Sequence, residues 1–355
     1  MAVIFTLPCA SLEASDHING IIACRSSELG AKNAEEWAKK LADNAGTGVE
    51  WYIMSLHQLD GEKYDFSEYA LSLAKYLSEK NVSGTEGIRC ALGFIAANCE
   101  SIYIDYAAER FIGSQGIMSY IWGLHLLNNG AKSSVYTCES LAEEITKMRL
   151  SDGGFALSGE NGNADVTAMA ICALAPYYEN MESVKETIDG AISFLSSSQG
   201  ENGGFFNYGV ENCESSAQVV TALCALGIDP QTDERFIKNG VSVFDAMCAY
   251  ALESGEFEHT KGAGANNLAT QQALYAFISV ERLHDGKGSF FIFDEQADAT
   301  PKGFKDVVFE KNVTADEVDE ERADIKTIVC VTIIALCAIG IAITVFFPKK
   351  KKEDI

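Results

Sequence analysis

Two kinds of helix alternate along most of this 355-residue chain, and their alternation limits the folds that the chain can adopt. One kind is amphipathic and charged, as in "AEEWAKKLAD", and the other is composed almost entirely of small and apolar residues, as in "SSAQVVTALCALG". A helix that is apolar on every side must be buried on every side. The apolar segments cover residues 49–58, 86–98, 116–127, 165–178, 215–227 and 268–280. The charged segments cover residues 34–43, 66–80, 103–112, 139–148, 184–197 and 236–252.

This pairing predicts an all-α fold in which six inner helices form a ring inside six outer helices. No pair can cover its own apolar face, so the pairs must stack on one another. We therefore expect an α/α toroid over residues 33–284. A β-sheet core would contradict this prediction.

A turn of glycine followed by an aromatic residue recurs before the later inner helices. It reads "SDGGF", "ENGGF" and "SGEF", and it places Phe155, Phe205 and Phe257 at intervals of about fifty residues. Glycine can end the outer helix because it adopts the positive φ that such a turn requires. We expect the aromatic side chain to fill the seam between adjacent helix pairs.

The segment "FLSSSQGENGGF" resembles the repeat of squalene cyclases and related prenyltransferases. The matching positions are Phe194, Leu195, Gln199 and Gly203, and Phe205 stands where that repeat has Trp. The segment 149–155 keeps the glycine and the aromatic residue but has Arg149 in place of Gln.

The resemblance implies the α/α-toroid superfamily, which also includes protein prenyltransferase β-subunits and intrinsic-factor-like cobalamin-binding domains. The segments "VTAMAICALAPYY" and "ENCESSAQVVTALCALGIDP" are similar to uncharacterised membrane-anchored toroid-repeat proteins from the surface of Gram-positive anaerobic bacteria.

The ends of the chain predict a membrane protein. Residues 327–347 are 21 uncharged, mostly apolar residues, which is long enough for a transmembrane helix. The lysines in residues 348–355 should stay in the cytoplasm, so the toroid should lie outside, joined by an acidic stalk over residues 285–326. Residues 1–32 lack the basic region of an export signal. Either that signal is truncated, or the protein is a tail-anchored protein with its toroid in the cytoplasm.

Asp165 is the first candidate for chemistry. In "NADVTA" it matches the middle aspartate of the triterpene cyclase acid motif, together with Thr167 and Ala168, whereas Asn163 and Val166 replace the two supporting aspartates. The resemblance implies a general acid that protonates an alkene or epoxide. The favoured interpretation is instead that Asp165 caps an inner helix.

Glu211 and Cys213 offer a weaker alternative, a zinc site. They match the first two positions of the Asp-x-Cys zinc motif of protein prenyltransferases. The third ligand, a His on the last inner helix, is missing, and two ligands do not make a zinc site. The other reading is a cysteine beside a helix cap formed by Asn212 or Glu214.

Other polar and aromatic residues are expected to line a central cavity, although His57 and His125 are also typical of satisfied core histidines. The cavity candidates are Trp51, Tyr52, His57, Trp122, His125, Tyr208, Glu214, Gln218 and His259. No phosphate-cradling glycine loop or metal cluster is apparent, so we expect no cofactor. The net charge of −24 argues against nucleic acid as a partner.

The leading hypothesis is a membrane-anchored, non-catalytic module that binds a small molecule, a glycan or a protein. The alternative is an enzyme of the terpene cyclase or prenyltransferase kind that uses Asp165 as its general acid.

Overall fold

The computed structural model describes residues 13–293 and 298–307 of the chain. They belong to the first of two units, Met1–Val308. The α-helices of the described part are α1 Ala14–Glu28, α2 Ala34–Lys40, α3 Glu50–Asp60, α4 Ser67–Glu79, α5 Gly84–Ala96, α6 Ile102–Phe111, α7 Gly116–Asn128, α8 Cys138–Thr146, α9 Ala164–Leu174, α10 Glu182–Ser198, α11 Cys213–Ala225, α12 Val243–Cys248 and α13 Asn267–His284. Two antiparallel hairpins pair β1 Phe206–Asn207 with β2 Val210–Glu211, and β3 Ile237–Lys238 with β4 Val241–Ser242.

Within the described residues, six inner helices form a closed ring. Helices α3, α5, α7, α9, α11 and α13 each contact the next in that order, and α13 contacts α3. The outer layer contains α2, α4, α6, α8, α10 and α12. All six predicted inner segments are helical, which confirms the α/α toroid. The predicted outer helix over residues 236–252 is reduced to the β3–β4 hairpin and the short α12.

Helix α1 is a further member of the outer layer that the sequence pattern did not single out. It packs against α13 and α2, so it covers the place where the ring closes. Ile18 and Ile21 are buried, and the ring of His17 stacks on Phe277 with centroids 4.5 Å apart. Much of the segment assigned to residues 1–32 is therefore part of the toroid.

The recurring glycine turns, here called joints, lie against the backbone of a neighbouring element of the outer layer. Gly255 has a φ of +92°, and a Cβ atom there would lie 2.6 Å from the carbonyl oxygen of Gly20 in α1. Gly153 meets the carbonyl oxygen of Gly190 in α10 in the same way. Phe155, Phe205 and Phe257 are completely buried, as expected for side chains that fill the seams.

A second repeated feature starts the inner helix after each of these joints. The N-cap residues of α9, α11 and α13 are Asn163, Asn212 and Asn266. Each of these side chains accepts a hydrogen bond from the backbone N–H of the residue three positions later. About one turn further along each helix, a hydroxyl group accepts a hydrogen bond from the backbone N–H of the aromatic residue that follows the glycine turn. These hydroxyl groups belong to Thr167, Ser216 and Thr270.

The carboxyl ends of the inner helices enclose aromatic side chains from the segment that follows α13. Residues 290–293, here called the aromatic plug, follow α13 and place Phe290 and Phe291 inside the ring, 1% and 2% exposed. Gln58 donates to the carbonyl oxygens of Phe290 and Ile292, and Asn129 donates to that of Phe291. The assignment of residues 285–326 to a solvated stalk therefore needs correction at its start, because burial of these aromatic side chains holds the segment in the toroid.

A later part of the presumed stalk also packs on the toroid. Asp306 accepts hydrogen bonds from the hydroxyl of Ser101 and the N–H of Ile102 at the start of α6. The predicted transmembrane helix 327–347 and the tail 348–355 lie outside the described residues. Across residues 13–293 and 298–307, no helix combines the length and the apolar character needed to cross a membrane.

Candidate functional site

The structure divides the predicted cavity residues between the filled axis and the open end of the ring. On the axis, the rings of Trp51 and Trp122 lie 5.1 Å apart, and Trp122 lies 5.3 Å from Phe291. Trp51 also contacts Tyr275 of α13. Helices α3 and α7 are separated by α5 in the ring, so the contact between Trp51 and Trp122 reaches across its interior.

The histidines near the plug are buried in this aromatic packing. His57 has its Nδ1 2.8 Å from the carbonyl oxygen of Ala96 and its ring edge against Phe293. His125 lies 4.5 Å from the ring of Phe291, and neither ring nitrogen has a hydrogen-bond partner among the described residues. Burial lowers the pKa of His125 to about 3, so its imidazole is neutral at physiological pH.

Tyr52 does not line the centre, although the sequence analysis placed it there. Its hydroxyl donates to Asn267, its ring packs against Trp37 of α2, and Arg25 lies over the ring. The alternation of inner and outer faces along α3 explains the difference. Trp51 points to the axis, whereas its neighbour Tyr52 points to the outer layer.

Asp165 lies at the open end, which is formed by the amino ends of the inner helices. The proposed cap role is wrong, because the side chain that caps α9 belongs to Asn163. Asp165 stands inside the first turn, where its Oδ2 accepts a hydrogen bond of 2.8 Å from the Asn207 side chain. Asn207 in turn accepts from Asn163 at 2.9 Å. These contacts hold the carboxyl group in one orientation.

The other carboxyl oxygen of Asp165, Oδ1, is buried and has no hydrogen-bond partner within the described part of the chain. Burial is the main reason why the pKa of this carboxyl is raised above its usual value, and the nearby Glu214 carboxylate raises it further. The Ser215 hydroxyl, which donates to Asn212 but lies near the carboxyl group, acts in the opposite direction, as do the hydrogen bond from Asn207 and the nearby His259. The carboxyl group is thus largely desolvated.

Glu214 and His259 form a second polar pair at the same end. The Nδ1 atom of His259 lies 2.9 Å from Oε2 of Glu214. The Glu214 side chain is 9% exposed and that of His259 is 47% exposed, so the histidine shields the carboxylate from solvent. Gln218 donates deeper in the ring, to Gln272 and to the Tyr275 hydroxyl.

A cleft of about 600 Å³ opens beside Asp165. Here called the mouth cleft, it is lined by residues 156–158, 161–166 and 206–209, with Met118, Met169, Phe194 and Ser198. Its rim contains Leu157, 58% exposed, Phe206, 40% exposed, and Tyr208, 87% exposed. Among the lining residues, Asp165 is the one with an ionisable acid or base other than the Tyr208 phenol.

The surroundings of the two candidate zinc residues, Glu211 and Cys213, do not favour metal binding. Glu211 accepts hydrogen bonds from Asn202 and Tyr250. Cys213 is fully buried, and burial raises the pKa of its thiol well above the usual value, which disfavours the thiolate that zinc requires. Asn212 provides the cap, as the other reading expected.

One group of residues in the described part has side-chain atoms close enough to hold a metal ion, and the sequence did not suggest it. It consists of Cys24, Glu28 and Glu256. Arg25 forms ion pairs with both of these glutamates, at 2.7 Å and 3.2 Å, so their charge is already compensated.

Two parts of the site had no signal in the sequence analysis, and a third had a signal that was assigned to another segment. Asn207 is one polar residue in a turn, and Tyr275 and Gln272 are ordinary members of an apolar helix. The aromatic run "FFIF" was visible but lay in the segment assigned to the stalk. Four consecutive large apolar residues in an acidic region are a signal of burial that could have identified the plug.

Comparison with known proteins identifies the family. The model of the prenyltransferase alpha-alpha toroid domain matches residues 31–228 and again residues 92–284, so the chain belongs to this family. No curated protein matches the chain.

Two solved structures have a similar fold. One is an unsaturated glucuronyl hydrolase from Bacillus sp. GL1, titled as responsible for the degradation of glycosaminoglycan, with 14% identity and a TM-score of 0.51. The other is titled UGL with dGlcA-Glc-Rha-Glc, with 14% identity and a TM-score of 0.53. Each alignment covers 80% of this chain and 99% of the other chain. At this identity the likeness shows the fold alone.

Proposed function

We propose that this protein is a membrane-anchored toroid that binds a ligand in the mouth cleft and catalyses no reaction on it. The observation that carries the proposal is the filled axis of the ring. An enzyme that encloses an isoprenoid chain needs a deep apolar cavity with a convergent acid or metal. Here Trp51, Trp122 and Tyr275 meet Phe290 and Phe291 in that space.

The mouth cleft has the properties of a binding site. Its volume lies in the range of small-molecule pockets, and it combines apolar walls with a few oriented polar groups. The Asn163–Asn207–Asp165 chain of hydrogen bonds fixes those polar groups before any ligand arrives. Exposed Leu157 and Tyr208 at the rim add apolar surface that a ligand can cover.

A specific observation favours a second function, an enzyme that uses Asp165 as a general acid. A carboxyl group with a raised pKa in a cleft is suited to donate a proton. Against this, the acid would act at a shallow cleft and not within an enclosed apolar chamber.

A turnover assay separates the two functions. The full-length protein would be incubated with squalene, with farnesyl diphosphate and with an unsaturated glucuronyl disaccharide, the last because the structural neighbours are glucuronyl hydrolases. We expect no product from any of them. Product formation that is lost in Asp165→Asn and kept in Glu160→Gln, a matched change at an exposed carboxylate of the same loop, would contradict the binding function.

The ligand itself can be sought by native mass spectrometry of the full-length protein released gently from membranes. We expect a co-purified small ligand, or binding from a panel that includes amines, oligosaccharides and short peptides. Binding that Phe206→Ala and Tyr208→Ala do not weaken would place the site away from the mouth cleft.

The membrane anchor over residues 327–347 and the outside location of the toroid remain proposals that rest on the sequence. Protease treatment of intact cells should remove the toroid and leave the lysine-rich tail protected. A protected toroid would instead support the tail-anchored cytoplasmic arrangement.

A further inference from the structure

We infer that the ligand of the mouth cleft is a primary ammonium group carried on an apolar body. The inference rests on the proposed function of the cleft and adds the class of ligand. Three independent features of the cleft lead to it: its charge, the geometry of its one carboxyl group and the character of its rim.

The charge of the cleft is uncompensated. Asp165 is its one carboxyl group, and no Lys, Arg or His is among the residues that line it. The basic side chain that acts on Asp165 is His259, which is paired with Glu214. A net charge of −24 on the whole chain also draws cations toward the surface and repels anions.

The geometry of the Asp165 carboxyl group leaves one of its oxygens without a hydrogen-bond donor among the described residues. Asn207 satisfies Oδ2 of Asp165, whereas Oδ1 is buried and has no hydrogen-bond partner among the described residues. A buried polar atom without a partner is costly. An N–H group of an ammonium ion would satisfy Oδ1 and also compensate the carboxylate charge, whereas a hydroxyl group would provide the hydrogen bond alone.

The amino end of α9 does not reverse this preference. Helix amino ends attract anions through their free N–H groups. In α9 the N–H of Val166 is bonded to the side chain of Asn163, and the N–H of Thr167 is bonded to the carbonyl oxygen of Asn163. Asp165 is itself the anion of this first turn.

The rim fits an apolar body next to a cation. Phe206 and Tyr208 offer exposed aromatic surface, and a cation near an aromatic face is stabilised electrostatically. Leu157 and the inner side chains of Met169 and Phe194 give the cleft apolar walls. A free alkylamine and a lysine side chain of a peptide share this chemistry.

The test compares three compounds of one shape: cyclohexylmethylammonium, cyclohexylmethanol and cyclohexanecarboxylate. Their dissociation constants would be measured by calorimetry on the full-length protein in detergent at pH 7.5. We expect the ammonium ion to bind about tenfold or more tightly than the alcohol, as a charge-assisted hydrogen bond predicts. We expect the carboxylate to bind least.

Variants locate the effect. Asp165→Asn should bring the affinities for the ammonium ion and the alcohol to within about twofold of each other, because it removes the charge and keeps the shape. Glu160→Gln, an equal loss of charge on an exposed residue nearby, should leave the preference intact. A preference for the ammonium ion that survives in Asp165→Asn would overturn the inference.

A pH titration of the unchanged protein provides a second measurement that does not depend on the folding of a variant. Affinity for the ammonium ion should fall as the Asp165 carboxyl takes up a proton, and affinity for the alcohol should stay constant. The charged groups that face Asp165 are Glu214 on α11 and His259 before α13. Parallel curves for the two compounds would contradict the inference.

The remaining outcomes separate the inference from the proposed function. Equal or tighter binding of the alcohol, or the tightest binding by the carboxylate, would overturn the ammonium assignment and leave a binding module. Binding by none of the three would also overturn it, while the wider ligand panel decides the function independently. Tighter binding of Nα-acetyl-lysine-N-methylamide than of the free amine would support a lysine of a peptide as the source, and the reverse would support a small amine.

Discussion

The two ends of the inner ring are built from the same six helices but differ in what covers them. At the carboxyl ends, Phe290 and Phe291 are almost fully buried, and Gln58 and Asn129 hold their backbone. At the amino ends, Tyr208 is 87% exposed, and a buried carboxyl oxygen of Asp165 lacks a partner among the described residues. One end is covered by the chain's own aromatic side chains, and the other is open as a cleft.

The difference shows how a toroid can separate stability from recognition. Apolar burial and the hydrogen bonds from Gln58 and Asn129 to the plug backbone contribute to the free energy of unfolding at the closed end. The desolvated Asp165 at the open end opposes folding slightly at neutral pH, as expected of a residue that serves the proposed ligand site. Substitutions at the two ends should therefore have opposite consequences.

The largest expected effect is the removal of a plug side chain. Phe291→Ala should lower the free energy of unfolding by about 3–5 kcal/mol, because it removes buried apolar surface and leaves a cavity. The measurement is urea unfolding of the full-length protein followed by circular dichroism. Phe206→Ala makes the same change at the open end and should cost less than about 1 kcal/mol. Equal costs would remove the distinction between the ends.

His125 tests the closed end through pH. Its pKa is lowered to about 3 in the fold, whereas the unfolded imidazole takes up a proton near 6.5. The unfolded state thus binds more protons between these values, so stability should fall as the pH decreases from about 6.5, by at most ~1.4 kcal/mol per pH unit.

His125→Leu should lose that part of the pH dependence. Unfolding free energies of both proteins at pH 7.5, 6, 5 and 4 provide the check, because their carboxyl groups titrate alike. Curves that stay parallel over this range would show that the plug does not desolvate His125.

The glycine joints sharpen the comparison, because they test how closely the turns before the inner helices pack on the outer layer. Gly255→Ala and Gly262→Ala both place a side chain at positive φ, but a Cβ atom would clash with the Gly20 carbonyl at position 255 and meet nothing at position 262. Gly255→Ala should therefore cost about 1–3 kcal/mol more in unfolding free energy. A smaller difference would mean that α1 moves away from the joint without cost.

The smallest expected effects distinguish the cap of α9 from the cleft carboxyl. Asn163→Ala should cost about 0.5–2 kcal/mol, since it removes the cap. Asp165→Asn should leave the protein as stable or slightly more stable at neutral pH. The pKa of Asp165 is raised in the folded state above its unfolded value of about 3.8. The protonated carboxyl is therefore the form that the fold favours, and its contribution to stability is lost as the pH rises through the folded-state pKa.

Thermal unfolding at pH 7.5 and pH 3.5 would compare the two variants with the unchanged protein. The advantage of Asp165→Asn should disappear at the lower pH. Asn caps a helix about as well as Asp, so Asp165→Ala is measured beside them. A cost of Asp165→Ala as large as that of Asn163→Ala would assign the cap to Asp165 instead.

Much of the fold could be predicted from local patterns, and the outcome differs among elements for physical reasons. The inner helices followed from their apolar residues on every side, and the joints followed from glycine before an aromatic residue. Helix α1 did not, because its sequence "ASDHINGIIACRSSE" has mixed polarity, and its burial depends on α13, far along the chain.

The candidate site was predicted in part. Asp165, Tyr208, Glu214, Gln218 and His259 do meet at or just below the open end. Their roles differ from expectation, since Asp165 does not cap α9. The choice between Asp165 and Asn163 as the cap depends on backbone geometry within two residues, which composition and spacing do not resolve.

The sequence by itself determined the toroid, because helical periodicity and glycine turns are local properties that can be recognised separately in each repeat. Only the tertiary structure decided which end of the ring is open. Residues 290–293 enter the axis after the last inner helix, and their place depends on Gln58 and Asn129, which lie more than 150 residues earlier in the chain. The same holds for Asp165, whose partner Asn207 is 42 residues away. Contacts over such separations depend on how the helices pack, and no local pattern encodes them.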